Sequence, residues 1–194
     1  QVLVRMRAAG LNRGEIIHGH GLTKPGAAKP AGGECAGEIA KLGPGVTGFA
    51  AGARVMGRCP GAFAEYALMD TREVIAIPAR LSWDEAASIP LTFTVVHDML
   101  IAQGKLLVGE WLLVTGNSSG VGVAALQTAK ALGAKVIGTS GSADKLERLK
   151  AIGLDVGIRT RAPDFCDAVL AATGGKGANL VVNNVGGSVF AECV

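Results

Sequence analysis

Hydrophobic and polar positions alternate differently in the two halves of this chain. Up to about residue 80 the apolar positions fall in short strand-like runs: Val2 to Ala8, Cys35 to Leu42, Arg54 to Met56, Ala62 to Leu68 and Val74 to Ile77. Turn formers such as Gly43-Pro44-Gly45 and Cys59-Pro60-Gly61 separate them, at spacings that predict an all-β barrel or sandwich. Ser82-Trp83-Asp84-Glu85 then forms a capping box, in which hydroxyl and carboxylate each satisfy an amide that a helix start leaves unpaired. It predicts a short helix that ends at Pro90, followed by a second from about Thr92 to Gln103, stopped by Gly104.

From Glu110 onward strands and helices alternate. Trp111 to Thr115 is a continuous apolar run, as expected of a strand covered on both faces. Val121 to Leu132 has helical periodicity and stops at Gly133. Lys135 to Thr139 is the next strand. Ser142 caps a helix carrying Leu146, Leu149 and Ile152, which Gly153 closes. Val156 to Ile158, Pro163 to Ala172 and Asn179 to Val185 repeat strand, helix, strand. The alternation predicts a parallel, doubly wound α/β sheet. The last strand lies close to the carboxyl end, so the sheet is expected to be incomplete there.

Composition narrows the class. A hydrophobic content of 49% supplies ample core, while aromatics at 4% give little for stacking nucleic-acid bases. A net charge of +3, with Lys and Arg scattered among Asp and Glu, makes neither a basic stripe nor a polybasic membrane patch. The longest uncharged stretch, Trp111 to Ala129, is broken by Gly116, Gly120 and Gly122, so it reads as strand, loop and helix rather than a membrane span. Cys35, Cys59, Cys166 and Cys193 share no C-x-x-C spacing, which supports neither a disulfide framework nor a thiolate zinc cage. The expected partner is a small molecule, with no nucleic acid and no membrane.

The chemistry concentrates in Gly116-Asn117-Ser118-Ser119-Gly120-Val121-Gly122, between a buried strand and a helix. Gly116 permits a sharp exit from the strand, Gly120 lets backbone approach a pyrophosphate, and Gly122 allows tight helix packing. Free amides at the helix start, with a dipole of about half a charge, attract the anion. Gly116, Ser118, Ser119, Gly120 and Val121 are therefore the expected dinucleotide contacts. No Gly-Lys-Ser/Thr follows the turn, which disfavours an ATP loop.

Sites selective for NADH place a carboxylate about 20 residues on, against the ribose 2′-hydroxyl. Here that position is Thr139-Ser140-Gly141-Ser142. Hydroxyls of Ser140 and Ser142, with Lys145 and Arg159 as cations, would accept a 2′-phosphate that a carboxylate would repel. NADPH is the favoured cofactor. On the alternative reading, Ser142 only caps a helix and Lys145 is a solvated charge.

These residues carry a family resemblance. Glu110 to Ala124, with Lys130-Ala131-Leu132-Gly133-Ala134, resembles the zinc-free NADPH:quinone oxidoreductase (zeta-crystallin-like) branch of the medium-chain dehydrogenase/reductase superfamily. So do Ala8-Ala9-Gly10-Leu11-Asn12, Gly43 to Phe49 and Ala64-Glu65-Tyr66. The resemblance implies a GroES-like β-barrel catalytic domain over 1–91 and a partial Rossmann domain over 92–194, with the active site in the cleft between them. It further implies a cytoplasmic enzyme, homodimeric in its full-length form, that passes hydride from NADPH to a quinone or α,β-unsaturated carbonyl. Measured against full-length members, the chain is expected to be a fragment.

Zinc-dependent relatives bind their metal through a cysteine and a histidine at positions that here correspond to Asn12 and Gly33. Neither replaces a thiolate or an imidazole, so no metal is expected. His18-Gly19-His20, with Glu34 and Cys35, is the competing metal reading. Asn12 is the expected catalytic and cofactor-contacting residue, its amide donating to the substrate carbonyl or to the nicotinamide ribose. Against that stands a purely structural role in the turn after Gly10. The tyrosines that quinone reductases present nearby correspond to Ile17 and Thr23, which leaves the proton donor open. Two aspartates usual around the fourth Rossmann strand are Asn179 and Asn183; Asn183, at a strand's carboxyl end, is expected to face the nicotinamide. Two alternatives remain: a zinc-type alcohol dehydrogenase, and a non-catalytic NADPH-binding protein.

Overall fold

The computed structural model describes residues 1–17, 26 and 30–194. The chain divides into two compact units, Gln1–Leu91 and Thr92–Val194.

The first unit is built on an antiparallel five-stranded sheet of order β4-β1-β2-β3-β5. Its strands are β1 (Val2–Ala9), β2 (Glu34–Leu42), β3 (Arg54–Arg58), β4 (Tyr66–Met69) and β5 (Ile75–Ala76). Strand residues alternate between faces, and both faces of β2 are covered. Cys35 and Ile39 join Val2, Val4, Val55, Cys59 and Met69 in one core. Ala36 joins Met56, Ile77 and the helix residues Ala86 and Ala87 in another. A short helix, α1 (Arg13–Ile16), follows β1, and α2 (Trp83–Ala87) follows the sheet. The capping box of α2 forms as expected: the Ser82 hydroxyl accepts from Glu85 N at 3.2 Å, and the Glu85 carboxylate accepts from Ser82 N at 2.8 Å.

Three expectations need correction here. The run Ala62 to Leu68 pairs only as Tyr66–Met69, because Gly61 N and Phe63 N bond instead to Gly32 O and Ala31 O. Pro90 opens α3 (Pro90–His97) rather than closing α2. A proline costs a helix nothing at its first position, where the missing N–H has no acceptor. The helix then widens into a π-helical segment, Asp98–Gln103, where regular α-helix was expected. Gly104 N donates to Met99 O at 2.9 Å, and a Cβ on Gly104 would lie 2.5 Å from that oxygen. Glycine is what allows the wide turn.

The second unit is a parallel four-stranded sheet of order β8-β7-β6-β9. Its strands are β6 (Trp111–Thr115), β7 (Lys135–Ser140), β8 (Val156–Arg159) and β9 (Leu180–Asn183). They alternate with α4 (Gly120–Ala131), α5 (Ala143–Lys150), α6 (Cys166–Ala172) and α7 (Ser188–Ala191). Leu112, Val114 and Val136 point to one face, packing with Ala125, Leu126 and Leu146 of α4 and α5. Leu113 and Ile137 point to the other, against Phe165, Val169 and Val189. This two-sided burial is why the strands read as unbroken apolar runs. The chain builds β6, β7 and β8 outward, then returns to lay β9 on the far side of β6. That reversal creates a switch point, and ligands bind such sheets outside the carboxyl ends of the strands there. The strand expected over Asn179 to Val185 is shorter. Asn183 Oδ1 accepts from Val185 N and Gly186 N, which turns the chain out of the sheet.

No helix among the described residues is long and apolar enough to cross a membrane.

Candidate functional site

A cavity of about 340 Å³ opens in the second unit at the carboxyl ends of its strands. Gly116 follows β6, Ser140 ends β7, Arg161 lies beyond β8 and Val185 follows β9. Of the expected cofactor residues, Gly116, Ser118, Ser140, Ser142 and Lys145 all line it. Gly116 has φ +62°, a left-handed conformation that glycine adopts without strain. Ser118 and Ser140 hydroxyls lie 3.2 Å apart, tying the loop to the end of β7.

The remaining loop residues start α4 and do not line this cavity. Ser119 is the N-cap, its hydroxyl accepting from Gly122 N at 3.1 Å, so its side chain is committed to the helix. Gly120 and Val121 follow in the first turn, where helix geometry gives their amides no acceptor. A Cβ on Gly120 would meet nothing within 4 Å, whereas one on Gly122 would lie 2.4 Å from Asn117 O. The middle glycine therefore borders open space and the last is packed.

Ser142 caps α5, its hydroxyl accepting from Lys145 N at 3.4 Å, and it also lines the cavity. Its capping role and its place at the cavity coexist. Arg159 ends β8, exposed and outside the cavity lining. Arg161, two residues later, lines it instead, and sequence reasoning missed this residue. Its side chain lies so close over Gly141 that a Cβ there would sit 2.0 Å from Arg161 Nε. The one signal in the sequence is a glycine between two serines at the end of β7. Among the described residues, the charged ones of the lining are thus Lys145 and Arg161, with no carboxylate.

Asn183 ends β9 beside Thr115. Its Oδ1 accepts from Thr115 Oγ1 at 2.9 Å and from two backbone amides, while its buried Nδ2 has no partner among the described residues. Asn179 has a structural role: its Oδ1 accepts from Trp111 N at 2.9 Å, and its own N donates to Trp111 O.

In the first unit, Asn12 sits between β1 and α1. Glu15 accepts from Asn12 N at 2.8 Å, and Asn12 Nδ2 donates to Glu34 Oε1 at 2.8 Å. Glu34, 2% exposed, also accepts from Leu91 N through Oε2 at 2.7 Å. Gly33, the counterpart of a metal-binding histidine, brings no side chain to this cluster. Among the described residues no group of three or more His, Cys, Asp or Glu is placed to hold a metal. His18, His20 and Thr23 lie outside the described residues. The four thiols are free.

Comparison with known proteins matches both units. The alcohol dehydrogenase GroES-like domain model matches residues 1–79, and the zinc-binding dehydrogenase model matches residues 120–194. A phenolphthiocerol/phthiocerol polyketide synthase component of Mycobacterium tuberculosis is 35% identical over 192 residues, covering 98% of this chain and 9% of that protein. Among solved structures, CurK enoyl reductase superposes with a TM-score of 0.87 at 28% identity, covering 99% of this chain and 61% of its own. Mycobacterial Rv1454c complexed with NADPH gives 0.88 at 28% identity, with 99% and 61% covered. The chain therefore spans under two thirds of each of these relatives. With a GroES-like unit followed by a parallel sheet of Rossmann type, and with family models matching in both, this chain belongs to the medium-chain dehydrogenase/reductase superfamily.

Proposed function

We propose that the chain binds NADPH and serves a metal-free reductase that delivers hydride to a quinone or α,β-unsaturated carbonyl. The observation that carries this reading is the cavity at the strand ends, lined by Ser140, Ser142, Lys145 and Arg161 and, among the described residues, by no carboxylate. Two cations and two hydroxyls suit a dianionic phosphate on the adenosine ribose better than a bare 2′-hydroxyl, which offers the cations no charge. The likeness to a mycobacterial protein solved with NADPH supports the same cofactor.

In this reading the first-turn amides of Gly120 and Val121 hold the pyrophosphate, helped by the dipole of α4. Gly116 and Ser118 shape the loop around it. The orphan Nδ2 of Asn183, at the switch point, suits a carbonyl such as that of a nicotinamide carboxamide. Asn12 is the residue of the first unit assigned to the reaction. When bound, NADPH would supply a hydride for the β-carbon of an α,β-unsaturated acceptor, the proton for the α-carbon coming from water or a side chain. Ser140, Ser142, Lys145 and Arg161 would hold its ribose phosphate. The assignment of no metal rests on Asn12 and Gly33, which lack the donor atoms that zinc needs. An enoyl reductase and quinone oxidoreductases both stand among the similar structures, which supports the two acceptor classes alike.

The test is the loss of reduced-nicotinamide absorbance when the full-length protein carrying this chain meets an enoyl thioester, an enone or a quinone. Turnover with at least one acceptor, unchanged after chelator treatment, is expected. NADPH binding without turnover on any of them would leave a cofactor-binding protein. Alcohol oxidation abolished by chelation would return the chain to the zinc enzymes.

A further inference from the structure

Arg161 is a cation that its surroundings hold in place but do not neutralise. Among the described residues it forms no ion pair and no side-chain hydrogen bond. The loop that carries it is fixed. Thr160 N donates to Ser140 O at 3.1 Å, which extends the pairing of β8 with β7 by one residue and sets Arg161 beside the end of β7. The Thr160 hydroxyl accepts from Ala162 N at 2.9 Å and donates to Asp164, so the carboxylate of this loop is engaged by Thr160 rather than by Arg161. The arm of Arg161 then lies against Gly141. A Cβ on Gly141 would sit 2.0 Å from Arg161 Nε, 2.6 Å from Cγ and 2.7 Å from Cδ. Three successive positions of the arm would clash, so the whole arm would have to swing away. Gly141 lies outside the left-handed region that favours glycine. Its backbone therefore does not call for glycine; the arm of Arg161 does.

We propose that Gly141 is a specificity-determining position that acts through Arg161. Lacking a side chain, it lets the guanidinium stand in the cavity with Ser140, Ser142 and Lys145, where it selects a cofactor bearing a 2′-phosphate. The assignment rests on the NADPH reading and adds to it a residue whose own part is only to leave space. An arginine stem already packed against backbone has less rotamer freedom to lose on binding, and its planar fork offers parallel donors to phosphate oxygens. With no carboxylate bound to it, its charge is available to the ligand. A side chain at position 141 would displace the arm and leave Lys145 as the cation of the lining. The bare 2′-hydroxyl of NADH carries no charge for Arg161 to meet, so the displacement would fall on NADPH alone.

The test is a double-variant cycle in the full-length protein: wild type, Gly141→Ala, Arg161→Ala and G141A/R161A, each titrated with NADPH and NADH. Gly141→Ala is expected to weaken NADPH by about tenfold, as Arg161→Ala does, with NADH little changed. The double variant should bind NADPH no worse than Arg161→Ala alone, because the added methyl then has no guanidinium to displace. Melting temperatures of the same four proteins should show the same coupling. Whatever Gly141→Ala costs in the wild type should diminish once Arg161 is truncated, since the methyl enters vacated space. Losses of NADPH affinity that multiply to about a hundredfold in the double variant would overturn the proposal, since the two residues would then act independently. Equal weakening of both cofactors by Gly141→Ala would also overturn it, because the methyl would then disturb the loop and not the cation. A wild type that binds NADH as tightly as NADPH fails the cofactor reading, and this assignment falls with it. A wild-type preference for NADPH that survives Gly141→Ala overturns the assignment alone.

Discussion

Cys35 and Cys59 show how far a residue's chemistry depends on what meets it. Both are buried in the core of the first unit. The close approach of Cys59, then burial, pushes the Cys35 thiol far above its ordinary range, and the approach of Cys35 lowers Cys59, whose Sγ donates to Leu68 O at 3.6 Å. Cys166 is exposed, and Cys193 is partly buried, with burial and then Glu192 raising its thiol. Thiolate is the reactive form, so alkylation of the native protein should label Cys166 first and Cys193 more slowly. Cys35 and Cys59 should label only on unfolding, as peptide mass spectrometry would show; rapid native labelling of Cys35 would contradict this core. Spacing alone did not predict the meeting of these two cysteines. It follows from the β2–β3 register, in which Cys35 lies opposite Gly57, two residues before Cys59. Arg161 escaped prediction for the same reason: its place over Gly141 depends on how the loop after β8 folds back, not on periodicity.

At the scale of elements, the strand–loop–helix at Trp111 to Ala131 was the most legible part of the chain, because a buried strand, a glycine turn and a helix each leave a separate mark. The expected boundaries of β6 hold and those of α4 shift by one residue. The reason for Gly138 was hidden. Asn117, fully buried, donates from Nδ2 to Gly122 O at 2.7 Å, and its Oδ1 has no partner among the described residues. A Cβ on Gly138 would lie 2.1 Å from that oxygen, so β7 has a glycine where the loop places an amide. Gly138→Ala should therefore cost about 1–3 kcal/mol from overpacking. The cost should shrink in an Asn117→Ala background, where the added methyl fills the space vacated. Denaturant melts of the four proteins in this cycle measure it. Simple additivity would mean that the two side chains do not compete for one space. The π-helical segment before Gly104 was likewise unreadable, since its apolar pattern fits an α-helix equally well.

Across the whole chain, the contrast between the two halves marked the two units and their fold classes, and residue motifs in both carried the superfamily resemblance. The GroES-like unit shows its fold through short strands and turns; the Rossmann unit shows its own through alternation. What the chain reduces is written less plainly. Asn12 meets Glu34, 22 positions away, and the cofactor's selectivity rests on residues at and after the ends of two different strands, β7 and β8. The central claim is that the cavity at the strand ends recognises a 2′-phosphate. Fluorescence titration of the full-length protein with NADPH and NADH, repeated on Lys145→Ala, Arg161→Ala and their combination, tests it most directly. NADPH should bind more tightly than NADH, and each loss of a cation should weaken NADPH by about tenfold while leaving NADH nearly unchanged. Tighter binding of NADH by the wild type, or equal loss of both cofactors in the variants, would contradict it.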